Sequence, residues 1–261
     1  MTSDALQDIA ADLNSAHRNG KAVPSAVRGG SLSSRSDAYE VQWAQLRQRI
    51  SDNDPLRGFT AGLVSVPAQR SMDTSEPVLG HLTGSMFHPG HEPLDGGKFI
   101  RPRIEPALAF VLGEPLRGPG VTVADAVRAV DCVLPALEIT DSGFEDGPAS
   151  VLDLIADNAG CRGVVLGSTP AALPDVDLRL SGCVLHRNGE VAATGAGGMA
   201  LGSPVNALVW VANAVRQEDF ALAAGQVVLV PCLTPAAALD PGDRVTASMA
   251  GVGTVTAVRA R

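Results

Sequence analysis

"RPRIEPALAFVL", Arg101–Leu112, is the stretch on which the reading of this chain turns. From Ile104 onward it has the length and apolar content of a core strand, and in an extended chain successive side chains point to opposite faces. Glu105, Ala107, Ala109 and Val111 therefore share one face, and Ile104, Leu108, Phe110 and Leu112 the other. The second face is plain core. The first sets a carboxylate among small residues, where an ionised acid is costly unless something compensates it. "PALEITDSG", Pro135–Gly143, repeats the situation, with Glu138 inside an apolar strand entered after a proline and Asp141 at its end. Two such glutamates point to a divalent cation held between strands. Exposure at a strand end, or pairing with Arg101 or Arg103, accounts for the residues equally well at this level.

Outward from these two segments the chain reads as short strands punctuated by glycine and proline: "GFTAGLVS", "RGVVLG", "GCVLHRNGEVAATG", "GQVVLVP" and "DRVTASMAGVGTVTAV". This spacing favours a sandwich or barrel-like roll over a doubly wound sheet. Asn188-Gly189 between alternating runs predicts a hairpin, because the turn that suits strand twist needs positive φ at both positions. Helices are predicted for "TVADAVRAVDCV" and for "SPVNALVWVANAVRQ", with Ser203 as cap and Pro204 at the first helical position. Two more precede the strands. One is capped by Ser3 or Asp4, carries Leu6, Ile9, Ala10 and Leu13 at helical spacing, and ends at Gly20. The other, "SDAYEVQWAQLRQRI", has Tyr39, Gln42, Leu46 and Ile50 in one stripe. The expectation is an α+β protein with a helical segment over 1–56 and a β-rich, catalytic-type domain over 57–261, the two forming one structural unit.

Composition narrows the function classes. A chain of 261 residues, 45% hydrophobic, can bury a large core. A net charge of -8 without a basic cluster gives no footprint for nucleic acid. The richest apolar run, Val205–Val215, is broken by Asn206 and Asn213, so no membrane span is expected. The acidic "MTSDALQDIAADL" lacks the basic-then-apolar pattern of an export signal, which leads to the expectation of a cytoplasmic protein. Cys132, Cys161, Cys183 and Cys232 form no CxxC pair and read as buried reduced thiols. His81, His88 and His91 lack the spacing of a metal site and read as loop residues. "GAGGMALGSP" is not a dinucleotide fingerprint, so no nucleotide cofactor is expected, although a helix start there can offer backbone donors to a carboxylate.

Beyond these residue-level readings, "SDAYEVQ", "GHLTGSM", the long run from "RPRIEPALAFVL" to "LEITDSG", "LIADNAG", "HRNGEVAATGAGGMALGSPVNALVWVAN" and "LTPAAALDPGDRVTASMAGVGTV" resemble one family from about Asp37 to the C-terminus. It is that of the 2-oxopent-4-enoate hydratases and 4-oxalocrotonate decarboxylases, within the fumarylacetoacetate hydrolase superfamily. The resemblance implies a mixed β-roll core flanked by helices, homo-oligomeric assembly, and a Mg²⁺ or Mn²⁺ site. There a small 2-oxo acid chelates the ion through its carboxylate and keto oxygens, and the ion acts as a Lewis acid toward an enolate.

The family's metal pattern, Glu-x-Glu followed by a third Glu, falls on Glu105, Ala107 and Glu138, so one expected ligand is a methyl group. Its Gly-x-Lys-x-Gly-Leu segment falls on "GFTAGL", which puts Thr60 in place of the lysine, and "DSG" puts Gly143 in place of an arginine. Mg²⁺ takes only one or two protein carboxylates in many sites, so a weakly held ion on Glu105 and Glu138 remains compatible. A threonine does not titrate as a lysine does, and loss of a proton-transfer group costs about 10²–10⁴ in rate. The site expected is Glu105, Glu138, His81 and Asp141 as catalytic groups, with Thr60, Ser65 and Ser142 toward the substrate. The activity expected is a hydratase- or decarboxylase-like lyase for a small 2-oxo or 2-hydroxydienoic acid. Two alternatives are a repurposed, metal-independent isomerase, cyclase or lyase of a biosynthetic pathway, and a catalytically inactive partner subunit.

Overall fold

The structure, a computed structural model, describes residues 3–218, 220–231 and 233–261. Helices α1 (Ser3–Asn19) and α2 (Arg35–Ser51) lead into β1 (Leu56–Gly62), the short α3 (Val66–Ser71) and β2 (Val78–Thr83). The two-residue β3 (Phe87–His88) comes before β4 (Arg103–Leu112), α4 (Val123–Ala129), β5 (Val130–Thr140), α5 (Val151–Ala156) and β6 (Cys161–Leu166). The chain continues through β7 (Gly182–Arg187), β8 (Glu190–Ala196), α6 (Pro204–Ala214), β9 (Val227–Val230), β10 (Ala237–Ala238), β11 (Arg244–Met249) and β12 (Gly253–Val258).

Two sheets result. The larger runs β2-β1-β9-β4-β5-β6-β3, with β10 also pairing to β4, and it is mixed because β1 is parallel to β9 and β3 to β6. The smaller, β12-β11-β7-β8, is antiparallel throughout. The predicted hairpin joins β7 to β8, with Asn188 at φ 54° and Gly189 at φ 91°. Face alternation in β4 holds as read. Ile104, Leu108, Phe110 and Leu112 join the main core, together with Leu137 and Ile139 of β5, Leu185 and Val245 of the smaller sheet, and Leu208 and Val211 of α6. Ala107 and Ala109 belong to a separate cluster with Leu82, Ala136, Val164 and Leu229 on the opposite face. Thr60 of β1 reaches Glu138 of β5 across the width of β9 and β4 at 2.8 Å, so the large sheet curls and this second face is its concave interior.

The N-terminal helices form a third cluster, where Leu6, Leu13, Val41, Phe144 and Ile155 pack together. Two buried glutamines fasten α2 beneath the sheet: Gln42 Nε2 donates to Leu79 O and Ile155 O, and Gln45 Nε2 donates to Ala156 O.

Several expectations need correction. The stripe on α2 fails at Ile50, which is 45% exposed, because the helix end projects beyond the packed face. The helix over "TVADAVRAVDCV" stops at Ala129, and its last residues open β5, where β-branched Val130 and Val133 suit the pleat. Ser203 flanks α6 at the N-cap without a side-chain capping bond, whereas Pro204 takes the predicted place. His81 lies in β2 and His88 in β3, so neither is a loop residue. Cys161 and Cys183 are buried, Cys132 is half-buried at the edge of its strand, and Cys232 lies outside the described residues.

Candidate active site

Pairing of β4 with β5 is antiparallel, and its register sets Glu105 directly opposite Glu138. The next pairs on the same face are Arg103 with Thr140 on one side and Ala107 with Ala136 on the other. The concave face therefore descends from a polar mouth, through two carboxylates, to a floor of methyl groups that is fully buried. Glu105 and Glu138 retain 9% and 3% exposure and line a cavity of about 1230 Å³, together with Ser65, Thr140, Asp141 and Ser142.

Glu138 is strongly perturbed. Burial pushes it up from 4.5 to about 7, against the pull of hydrogen bonds from the Cys161 thiol and the Thr60 hydroxyl. Among the described residues, no cation contributes to its balance. Cys161, equally buried and next to Glu138, is held well above the ordinary thiol range and stays protonated. Thr60 thus faces the site, as expected, and its hydroxyl donates to Glu138 Oε1.

Asp141 is in the cavity wall, but both its oxygens are taken: the backbone N–H groups of Ile100 and Arg101 donate to them at 2.6 and 2.7 Å. It anchors the segment that enters β4. Ser65 caps α3, accepting from Ala68 N at 3.3 Å, and Ser142 Oγ accepts from Phe144 N at 3.1 Å, so both hydroxyls border the cavity while fixing local turns.

His81 is not brought to this site. It pairs across the ladder with Phe59, the neighbour of Thr60, so pleating turns it to the face opposite Thr60. Its ring lies 6.3 Å from that of Trp43, which in turn meets Phe220, and burial together with Arg49 and Arg162 keeps it well below its ordinary pKa and neutral. Its backbone is pinned by Asn158, whose Oδ1 accepts from His81 N and whose Nδ2 donates to His81 O. The N-terminus of α6 does not line the cavity either.

Residues to which the sequence gives no part in the chemistry, among them Asp157, form the far wall. Asp157 accepts from Gly143 N at 2.7 Å, meets His17 Nε2 at 2.8 Å and pairs with the buried Arg162. A Cβ built on Gly143 would stand 2.8 Å from His17 Nε2 and 2.9 Å from Leu13 Cδ2. Helix α1 therefore occupies the space into which a side chain at 143 would start.

A model described as the C-terminal region of fumarylacetoacetate hydrolase matches residues 61–258 of this chain. The chain belongs to the fumarylacetoacetate hydrolase family. It is 37% identical to a 2-oxo-hept-4-ene-1,7-dioate hydratase of Escherichia coli over 84% of this chain and 85% of the relative. It is 35% identical to a 2-keto-4-pentenoate hydratase of Paraburkholderia xenovorans over 98% and 95%. Among solved structures, a 4-oxalocrotonate decarboxylase of Pseudomonas putida complexed with magnesium and adipate superposes with a TM-score of 0.94 at 30% identity, covering 99% of this chain and 98% of that one. These relatives are lyase-type enzymes, and the curled mixed sheet is the fumarylacetoacetate hydrolase-type fold.

Within that fold, the donor set for an ion is Glu105 and Glu138. No group of three His, Cys, Asp or Glu side chains suited to a metal occurs among the described residues, and the position two beyond Glu105 is the buried methyl of Ala107. Two carboxylates side by side, one of them raised by burial, fit an ion that keeps several coordination positions for water and ligand oxygens, which is the habit of Mg²⁺. Among the described residues, no helix is long and apolar enough to cross a membrane.

Proposed function

We propose that this chain is a lyase-type enzyme of hydratase or decarboxylase kind, acting on a small 2-oxo or 2-hydroxydienoic acid bound above Glu105 and Glu138. The observation that carries this reading is the register that sets those two carboxylates side by side in the wall of a large cavity. Relatives named for 2-oxo-hept-4-ene-1,7-dioate and 2-keto-4-pentenoate support the substrate class. Glu105 and Glu138 would hold Mg²⁺ or Mn²⁺, weakly, because Ala107 leaves the set at two. When bound, such an ion supplies a Lewis acid for the carboxylate and keto oxygens of the substrate. Thr60 orients Glu138 through its hydroxyl, Ala107 and Ala136 keep water from beneath, and Asp141 fixes the Ile100–Arg101 backbone at the entrance. Ser65 and Ser142 offer hydroxyl oxygens to the polar end of the substrate. The reading includes a cytoplasmic setting and assembly into a homo-oligomer.

One observation favours a second reading. Burial carries Glu138 up to about 7, with no cation among the described residues contributing, so it can take up and release a proton near neutrality, as a general acid–base must. This suits a metal-independent isomerase, cyclase or lyase in which the two glutamates move the proton.

Thermal melting of the full chain with Mg²⁺, oxalate and both together separates these readings. Both together should raise Tm by several degrees, neither alone should, and Glu105→Gln or Glu138→Gln should abolish the shift. No joint shift would sink the metal-assisted reading. Solvent deuterium appearing at C3 of 2-oxopentanoate in the presence of a chelator would then establish the second, and no exchange would leave an inactive partner subunit.

A further inference from the structure

The smaller sheet turns one face inward, where Leu185, Ala247 and Val255 join the main core, and leaves the other uncovered. Alternation sends the neighbours of those residues outward, and the register sets them in two rows across the strands. Thr256, Thr246, His186 and Val191 make one row, and Thr254, Ser248, Val184 and Thr194 the next. All eight are half-buried or exposed, and none is Asp, Glu, Lys or Arg. Their hydroxyls answer one another: Thr246 Oγ1 meets Thr256 Oγ1 at 2.9 Å, and Thr254 Oγ1 donates to Ser248 Oγ at 3.3 Å. The charges of this sheet gather at its hairpin end, where Arg187 pairs with Asp240 and Asp243 and Arg244 lies beside Asn188.

At the opposite end the face runs into a groove of about 780 Å³, bordered by Gly182, Val184, Thr194, Ser248, Gly251 and Thr254, with no charged side chain among its described lining residues. Leu180, 70% exposed, stands beside it. The next residue, Ser181, donates through Oγ to Ala250 O at 2.6 Å, and Ala250 N donates to Gly182 O at 2.9 Å. A projecting leucine and an uncharged hollow thus lie side by side on one surface. A two-fold axis makes such a pair its own complement, because each contact from one copy to the other is repeated in reverse. Charge selects the same occupant. The chain carries a net charge of -8, so two copies repel over most of their surface, and a face without ionised side chains lets them meet with no like charges in contact.

We propose that the outer face of the β12-β11-β7-β8 sheet, with its groove, is an interface between two copies of this chain, in which Leu180 of each enters the groove of the other. The proposal rests on the homo-oligomer included in the reading above, to which it gives a location, and it is independent of the chemistry at Glu105 and Glu138. Four strands about 4.8 Å apart and about 20 Å long offer on the order of 400 Å² per copy, about half of a standard interface. The groove and Leu180 enlarge this area, and the association expected is micromolar. Thr194 and Gly195 border both the groove and the active-site cavity, so a copy seated in the groove stands just across β8 from that cavity.

Sedimentation velocity of the full chain over a dilution series tests this. The parent should sediment above the monomer mass at tens of micromolar and dissociate on dilution. Val184→Lys combined with Thr246→Lys sets like charges against each other across the axis and should weaken association by about a hundredfold. Leu180→Asp should weaken it by about tenfold. A parent that stays monomeric at tens of micromolar would overturn the interface and the homo-oligomer with it. An oligomer that neither variant weakens would overturn the interface alone and assign assembly to another surface. Leu180 is exposed and lies outside the strands, so Leu180→Asp keeps the test decisive if the two lysines harm folding. The joint melting shift of the parent with Mg²⁺ and oxalate reports on Glu105 and Glu138, and its absence would count against that pair while the interface stands.

Discussion

Asp157 and Glu138 are both buried acids within the same cavity wall, yet their surroundings treat them in opposite ways. Burial raises both. At Asp157 that effect is outweighed by the Arg162 guanidinium, the His17 contact and the Gly143 amide, and the carboxyl ends below its ordinary range. At Glu138, among the described residues, only a hydroxyl and a thiol oppose burial, and the carboxyl ends near 7. A fully compensated acid holds the structure together, whereas an undercompensated one retains the capacity to gain a cation or a proton.

The contrast can be broken first at its stable end. Asp157→Asn leaves Arg162 buried without its partner and should cost about 3–5 kcal/mol in urea unfolding, with the loss present at every pH above the carboxylate range. In the parent protein the Asp157 contribution is complete above the unfolded carboxyl's pKa and is lost as pH falls through the lower folded value. Glu138→Gln should act differently. The folded acid binds its proton more tightly than the unfolded one, so stability falls as pH rises from 4.5 through about 7, by a few kcal/mol in all. The variant should flatten that slope and be at least as stable as the parent at pH 8; a slope that survives the substitution would refute the assignment. The smallest effect is expected from Thr60→Val. Loss of one hydroxyl donor should move Glu138 further upward and cost about 1 kcal/mol, readable by NMR titration of the carboxyl carbon.

Much of this contrast was within reach of the sequence. Alternation along "IEPALAFVL" places Glu105 with Ala107 and against Leu108, and the coordinates keep that division between two separate clusters. "VLGHLT" does not show that alternation plainly, because it is short, interrupted by Gly80 and preceded by Pro77, and so lacks the signature of a strand. Had β2 been recognised, pairing with β1 would have put Gly80 beside Thr60 and turned His81 away from the glutamates. The Asp157 cluster was beyond such reasoning. His17 and Asp157 are 140 residues apart, and neither "SAHRNG" nor "IADNAG" carries a local periodicity that names the other. Arg259, near the end of the chain, likewise reaches Gly96 only through tertiary structure.

The fit of α1 over Gly143 bears on how such a chain can change. An arginine at 143, which the family resemblance places there, would meet the tips of His17 and Leu13 within 3 Å of its first carbon, so those side chains must turn aside to admit it. Turning His17 aside gives up its contacts with Asp157 and Arg162, so the substitution carries a cost at the buried pair even where the helix itself stays in place. The leading helix, far from the chemistry in sequence, thus couples the residue allowed at 143 to the stability of the far wall.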